Sequence, residues 1–148
     1  MENFIKYTED GLCEVTLGRF ADKAYCATDV PIDCLSAAIN SLKDNTPFAV
    51  QFDSGEYTYM IVADLLYSYA IVDNDGPTFY KNDSIYGTQE LALQIYNDIS
   101  ENVDGWTNFM YNGTENFEED IDKIKNRILF LLDLLESLLK EEGLLENA

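Results

Sequence analysis

The N-terminal segment has the alternation of apolar and polar residues that is typical of a β-hairpin. Within residues 12–18, every second side chain is apolar: Cys13, Val15 and Leu17. This period of two is that of a strand with one buried face. Residues 3–8 form the other predicted strand, and Asp10-Gly11 lies in the turn between the two, where this dipeptide favours a tight hairpin.

The centre of the chain predicts further short strands. Their segments are 48–53, 57–62, 66–72 and 78–81. The segment 66–72 is apolar almost throughout, which is typical of a central strand covered on both faces. The residues 73–77 that follow it, Asp-Asn-Asp-Gly-Pro, form a dense turn signal. We therefore interpret 78–81 as a short edge strand.

Apolar residues spaced three or four positions apart predict three helices. The first has Pro31 in its first turn and contains four such residues: Ile32, Leu35, Ile39 and Leu42. The second begins at Thr88, interpreted as its cap, and the third runs from Asn116 to a stop at Gly143. Together the segments predict one α+β domain spanning 1–148. Its antiparallel sheet would have about four to five strands, with one helix after the N-terminal hairpin and two at the C-terminal end.

The third predicted helix is apolar around more than half of its circumference. Leu129, Phe130 and Leu134 lie outside its main apolar stripe, so more than one neighbour must cover it. Two interpretations remain open. Either the helix lies across the sheet and beneath another element, or it packs against a second copy of itself in a homodimer.

The charge of the chain is strongly acidic. Its 28 acidic residues against 9 basic ones give a net charge of −19, and residues 44–122 hold sixteen acidic residues and only one basic residue, Lys81. A field of this sign repels phosphate backbones and anionic membranes, so the sequence predicts no direct binding to nucleic acid or to membranes. It attracts cationic protein partners. The alternative is that the acidic surface only maintains solubility.

The residue types needed by common enzyme classes are missing from the sequence. There is no histidine, and no G-x-x-x-x-G-K-[ST] or G-x-G-x-x-G phosphate-binding motif is present. Cys13, Cys26 and Cys34 have no metal-ligand spacing, and we interpret Cys13 and Cys34 as small buried apolar residues. We expect no enzymatic activity, cofactor or metal. The absence of a signal-peptide pattern at the N-terminus predicts a cytoplasmic protein.

Three acidic or aromatic segments are candidates for a binding surface. Two are the acidic turns near residues 53–56 and 73–76. The third is the aromatic segment 104–113 between the last two helices, whose aromatics beside carboxylates could bind lysine or arginine. The alternative for that segment is that Trp106 and Phe109 fill the core. The predicted partner-binding residues are Asp53, Glu56, Asp73, Asp75, Asp98, Glu101, Asp104, Trp106 and Tyr111.

Three classes of function agree with these features. The first is an acidic inhibitor that occupies a basic surface on another macromolecule, either as an immunity protein against a toxin nuclease or as a phage anti-defence protein that mimics nucleic acid. The second is an oligomeric structural or adaptor protein that dimerises through its C-terminal helix. The third is a hydrolase using carboxylates and a divalent cation, which no residue spacing in the sequence supports.

Overall fold

The computed structural model describes residues 3–8, 12–25, 30–81, 87–108 and 118–146. These residues form seven strands and four helices. The strands are β1 (Ile5–Tyr7), β2 (Leu12–Leu17), β3 (Phe20–Tyr25), β4 (Phe48–Asp53), β5 (Thr58–Ala63), β6 (Ser68–Asp73) and β7 (Pro77–Lys81). The helices are α1 (Val30–Asp44), α2 (Thr88–Ser100), α3 (Val103–Asn108) and α4 (Glu118–Glu141).

The strands form two antiparallel sheets in which each strand pairs with its neighbours in sequence. The first sheet has the order β1-β2-β3 and the second has the order β4-β5-β6-β7. The α+β class and the hairpin of β1 and β2 are therefore confirmed, as is the edge position of β7. The predicted counts of strands and helices were wrong, because the strands divide between two sheets and the described residues contain four helices.

Strand β3 was missed because a charged residue interrupts its apolar alternation. Phe20 and Ala24 are buried, and between them, on the same side of the strand, lies Asp22. The carboxylate of Asp22 accepts a hydrogen bond from the hydroxyl of Tyr57, the residue directly before β5. Asp22 thus occupies a position at which the strand pattern predicts an apolar residue, and its carboxylate is hydrogen-bonded there.

Aromatic side chains join the two sheets in a shared core. Tyr59 of β5 stacks on Phe52 of β4 at 5.4 Å and meets the ring of Phe20 from β3 at 5.2 Å. Its hydroxyl donates a hydrogen bond of 2.8 Å to the carbonyl oxygen of Lys23. Phe4 contacts Phe52 edge-on from the N-terminal side. Buried aromatic pairs of this kind stabilise a fold beyond the area they remove from water, and here they fix the second sheet against the first.

The helices pack against both sheets, α1 against β4 and α2 against β1. Helix α4 packs against α1, α2 and α3, so its large apolar surface is covered mainly by other helices and not by a sheet. Its buried residues are Ile128, Leu131, Leu132, Leu135 and Leu139. Leu129, Phe130 and Leu134 are 42%, 61% and 42% exposed. These three residues form an exposed apolar patch on α4.

The start of α2 requires a glycine because of a close approach between two backbones. Gly87 occupies the position before the helix, and a Cβ atom there would lie 1.9 Å from the carbonyl oxygen of Leu65. The N–H of Gly87 donates to the carboxylate of Glu90 at 3.0 Å. Thr88 is the first helical residue, so its predicted role as the cap was wrong. The α2 N-terminus is thereby held against the turn between β5 and β6.

Candidate interaction surface

Two of the predicted acidic segments meet at one end of the four-stranded sheet. Because β4 to β7 form an antiparallel meander, the β4–β5 turn and the β6–β7 turn lie at the same end. Asp53 and Asp73 both pair with Thr58, so their Cα positions lie on either side of one strand, about 10 Å apart. Glu56 and Asp75 extend the group into the two turns. We call these four exposed carboxylates, Asp53, Glu56, Asp73 and Asp75, the acidic end.

Local hydrogen bonds fix the β4–β5 turn of the acidic end. The N–H of Gly55 donates to Oδ1 of Asp53 at 2.8 Å. The buried hydroxyl of Ser54 accepts from the N–H of Tyr57 at 3.2 Å and donates to its carbonyl oxygen at 2.9 Å. Gly55 has a φ of +95°, a backbone conformation that residues other than glycine rarely adopt. The turn therefore presents its carboxylates from an ordered backbone.

Strand β3 adds an aromatic side chain, Tyr25, and a further carboxylate, Asp22, to this end of the molecule. Tyr25 packs over Gly55, where an added Cβ would lie 2.6 Å from its ring. The hydrogen bond between the hydroxyl of Tyr57 and the carboxylate of Asp22 raises the pKa of Tyr57 to about 12. Tyr57 thus remains protonated at neutral pH, and its hydroxyl holds the side chain of Asp22 beside the acidic end.

A polar cleft of about 330 Å³ lies between β3 and the β6–β7 turn. Asp22, Tyr57, Asn74 and Tyr80 line it, and Arg19 contributes a positive charge to the same wall. The mixed lining gives this cleft no clear preference for one sign of charge.

The outer face of the four-stranded sheet is apolar on β5 and β6 and at Phe79 of β7, whereas Gln51 of β4 and Lys81 of β7 lie at the ends of its two rows. Residues directly opposite each other on neighbouring strands share a face, which groups Met60 with Ile71 and Phe79, and Val62 with Tyr69. Phe79 is 64% exposed and the other four side chains are partly exposed. We call these five residues, Met60, Val62, Tyr69, Ile71 and Phe79, the apolar outer face. The sequence indicated that the segment 66–72, which contains most of β6, is apolar on both faces, but the expectation that both faces are covered was wrong.

The opposite end of this sheet differs from the acidic end in character. The β5–β6 turn exposes Leu65 and Leu66, at 71% and 58%. Its one acidic residue, Asp64, accepts hydrogen bonds from the N–H groups of Leu66 and Tyr67 at 2.9 and 2.7 Å. The bonds from Tyr67 and Leu66 lower the pKa of Asp64. The sheet therefore changes from acidic at one end to apolar at the other.

Two of the predicted partner-binding residues lie in the interior. Asp98 is 4% exposed, and its Oδ2 atom accepts hydrogen bonds from the N–H groups of Phe4 at 2.8 Å and Ile5 at 3.0 Å. Trp106 is fully buried in α3, a short helix that sequence analysis interpreted as a loop, and its ring meets Tyr7 at 5.9 Å. Neither side chain is available to a partner, so we correct the prediction for both: Asp98 joins α2 to β1, and Trp106 fills the core.

Two further predicted residues, Glu101 and Asp104, lie on the helical part of the molecule. Glu101 is exposed just after α2. Asp104 forms an ion pair of 2.8 Å with Lys125 of α4, and this hydrogen bond raises the pKa of Lys125. Tyr111 lies outside the described residues. The candidate surface that the structure assembles is thus the acidic end and the apolar outer face beside it.

Groups that could support catalysis are sparse in the parts of the chain that the structure describes. Cys13 and Cys34 are buried free thiols, as expected, and burial raises the pKa of Cys34. Cys26 lies outside the described residues. Among the described side chains, no group of three or more cysteines and carboxylates has an arrangement that could hold a metal ion. No described helix is long and apolar enough to cross a bilayer.

Comparisons with known protein-family models, curated proteins and solved structures found no match.

Proposed function

We propose that this chain is a non-enzymatic binding protein whose acidic end occupies a basic surface on another macromolecule and thereby inhibits it. One observation carries the proposal: the β4–β5 and β6–β7 turns bring four exposed carboxylates together on a well-ordered sheet. Residues 48–80 contain no basic residue, and the neighbouring cleft brings one positive charge, that of Arg19, against these four carboxylates. A fixed cluster of one sign accelerates encounter with an oppositely charged partner and restricts the orientation in which the two can bind.

Two biological settings fit such an inhibitor. An immunity protein would cover the basic active site of a toxin nuclease, and an anti-defence protein would cover the nucleic-acid-binding surface of a defence enzyme. Both partners are basic for the same reason, because they bind phosphate backbones. Both settings also require the chain to act in the cytoplasm.

Capture from a lysate of the native host tests the proposal. The neutralised variant replaces the acidic end: Asp53→Asn, Glu56→Gln, Asp73→Asn and Asp75→Asn. A control variant removes four exposed carboxylates elsewhere: Asp44→Asn, Asp133→Asn, Glu141→Gln and Glu146→Gln. Both variants carry a net charge of −15, four units above the −19 of the wild type.

We expect immobilised wild-type and control protein to retain a basic protein at low ionic strength. The neutralised variant should not retain it, and moderate salt should release it from the wild type and the control, since screening weakens exposed charge pairs. The captured protein is then identified and assayed for nuclease or nucleic-acid-binding activity with and without the chain. Capture that is equal for all three proteins and unchanged by salt would contradict the proposal.

The exposed apolar patch on α4 favours a second function, that of a structural or adaptor protein that dimerises through this helix. Leu129, Phe130 and Leu134 together expose more apolar surface than single residues on the surface usually do. In this case the wild type should sediment as a dimer, and Phe130→Gln combined with Leu134→Gln should sediment as a monomer. A wild-type chain that stays monomeric at high concentration removes this alternative.

A further inference from the structure

We propose that the apolar outer face forms the second half of the contact surface and binds an apolar segment of the partner that lies next to its basic residues. This inference rests on the proposed function and adds the chemistry of the partner. The acidic end would attract and orient the partner, and the outer face would hold it after contact. The partner is therefore a basic protein with exposed apolar side chains directly beside its positive charges.

The composition of the outer face is the first argument for this role. An antiparallel sheet with one solvated face normally carries polar residues on that face. Here the solvated face of β5 to β7 carries Met60, Ile71 and Phe79 in one continuous row across three strands. Phe79 at the end of that row is more than half exposed. Contiguous exposed apolar residues beside charged ones are typical of a protein interface.

The distance between the apolar and acidic rows is the second argument. Met60 and Ile71 each lie two residues from the row that contains Thr58 and Asp73. Two residues of a strand span about 7 Å, which is close to the reach of one lysine or arginine side chain. A single partner segment can therefore place a cation at the acidic end while an apolar neighbour contacts the outer face.

Charge decides which occupant fits this surface. A second copy of this chain would bring another net charge of −19 towards the acidic end, and like charges oppose that contact. Anionic lipid headgroups are repelled in the same way. A partner with positive charges beside an apolar segment can contact the acidic end and the apolar outer face at the same time.

Two short peptides of equal length and charge test the inference without a known partner. The first has lysines in one half and leucines in the other, and the second has serines in place of the leucines. Their dissociation constants for the wild-type chain are measured by calorimetry at low ionic strength. Methyl NMR of ¹³C-labelled methionine follows Met60 on the outer face, with its signal assigned from Met60→Leu.

We expect the leucine peptide to bind about tenfold more tightly than the serine peptide, because one leucine side chain is removed from water. Phe79→Thr should weaken the leucine peptide about tenfold and leave the serine peptide unchanged. Threonine keeps the strand preference at this exposed position. Phe130→Gln is the matched control, since Phe130 on α4 is exposed to a similar extent, 61% against 64%. The Met60 signal should shift with the leucine peptide only.

The possible failures are distinguishable. Equal affinity for the two peptides, or equal effects of Phe79→Thr and Phe130→Gln, would overturn the role of the outer face and leave the proposed function standing. Undiminished binding of both peptides by the neutralised variant would count against the proposed function itself. A wild-type dimer that Phe79→Thr dissociates would assign the outer face to a second copy and overturn the inference.

Discussion

Replacing Asp98 by alanine is expected to lower the free energy of unfolding by about 3 kcal/mol. The carboxylate is buried at the point where α2 meets β1, and it accepts the N–H groups of Phe4 and Ile5 through one oxygen. Its other oxygen accepts a hydrogen bond of 2.8 Å from the side-chain amide of Gln94. Alanine leaves both backbone donors without a partner in the interior, and each such donor costs about 1–3 kcal/mol. Urea unfolding at neutral pH measures the change.

Asparagine at position 98 is the control for the loss of charge. Its carbonyl oxygen can accept both backbone N–H groups, and its amide group can donate to the side chain of Gln94 after a rotation of the Gln94 amide. We therefore expect Asp98→Asn to unfold within about 1 kcal/mol of the wild type. Equal stability of the alanine and asparagine variants would show that these hydrogen bonds do not stabilise the fold.

The wild type and Asp98→Asn are also expected to differ in the pH dependence of their free energy of unfolding. Burial raises the pKa of Asp98, although its hydrogen bonds to Ile5, Gln94 and Phe4 oppose the change. The stabilisation from protonation is fully present below the unfolded-chain pKa of about 3.9, and it is lost as the pH rises through the higher pKa of the folded chain. Wild type should therefore gain stability relative to Asp98→Asn on acidification from about pH 7 to about pH 4. The other carboxylates are common to both proteins, so they largely cancel in this difference.

The sequence predicted the buried face of each predicted helix better than it predicted which element covers that face. Residues such as Leu35 and Leu42, or Leu91 and Ile95, recur on one helical face and are buried as expected. The period of a helix depends only on local spacing. Which element covers that face depends on distant residues, and the packing of α4 against three helices has no signal in its own sequence.

The candidate site was predicted in part for the same reason. The acidic turns were recognisable from Asp53 and Asp73, but their meeting depends on the antiparallel order of β4 to β7. The burial of Asp98 followed no local signal, since its partners Phe4 and Ile5 lie more than ninety residues away along the chain. An acidic residue on a predicted helix is usually exposed, and only the tertiary fold distinguishes this one.

Neutralising the acidic end is expected to slow association with the captured basic partner by about ten- to a hundredfold at low ionic strength. The reason is that exposed charges act mainly before contact, by raising the rate at which partners meet in the right orientation. The dissociation rate should change much less, because rim charges contribute little once the complex is formed. Stopped-flow association rates at a series of salt concentrations measure both the size of the effect and its screening.

The four substitutions of the acidic end should preserve the local fold, so a change in the association rate reports the loss of charge. The Asp53→Asn side chain keeps an oxygen that can accept the N–H of Gly55, which Asp53 accepts at 2.8 Å. Asp75 has a φ of +55°, and asparagine tolerates this left-handed conformation at least as well as aspartate does. The control variant with the same net charge separates a local field from overall charge. If both variants associate equally slowly, the total charge of the chain drives the encounter, and the cluster that the two turns build has no special part in it.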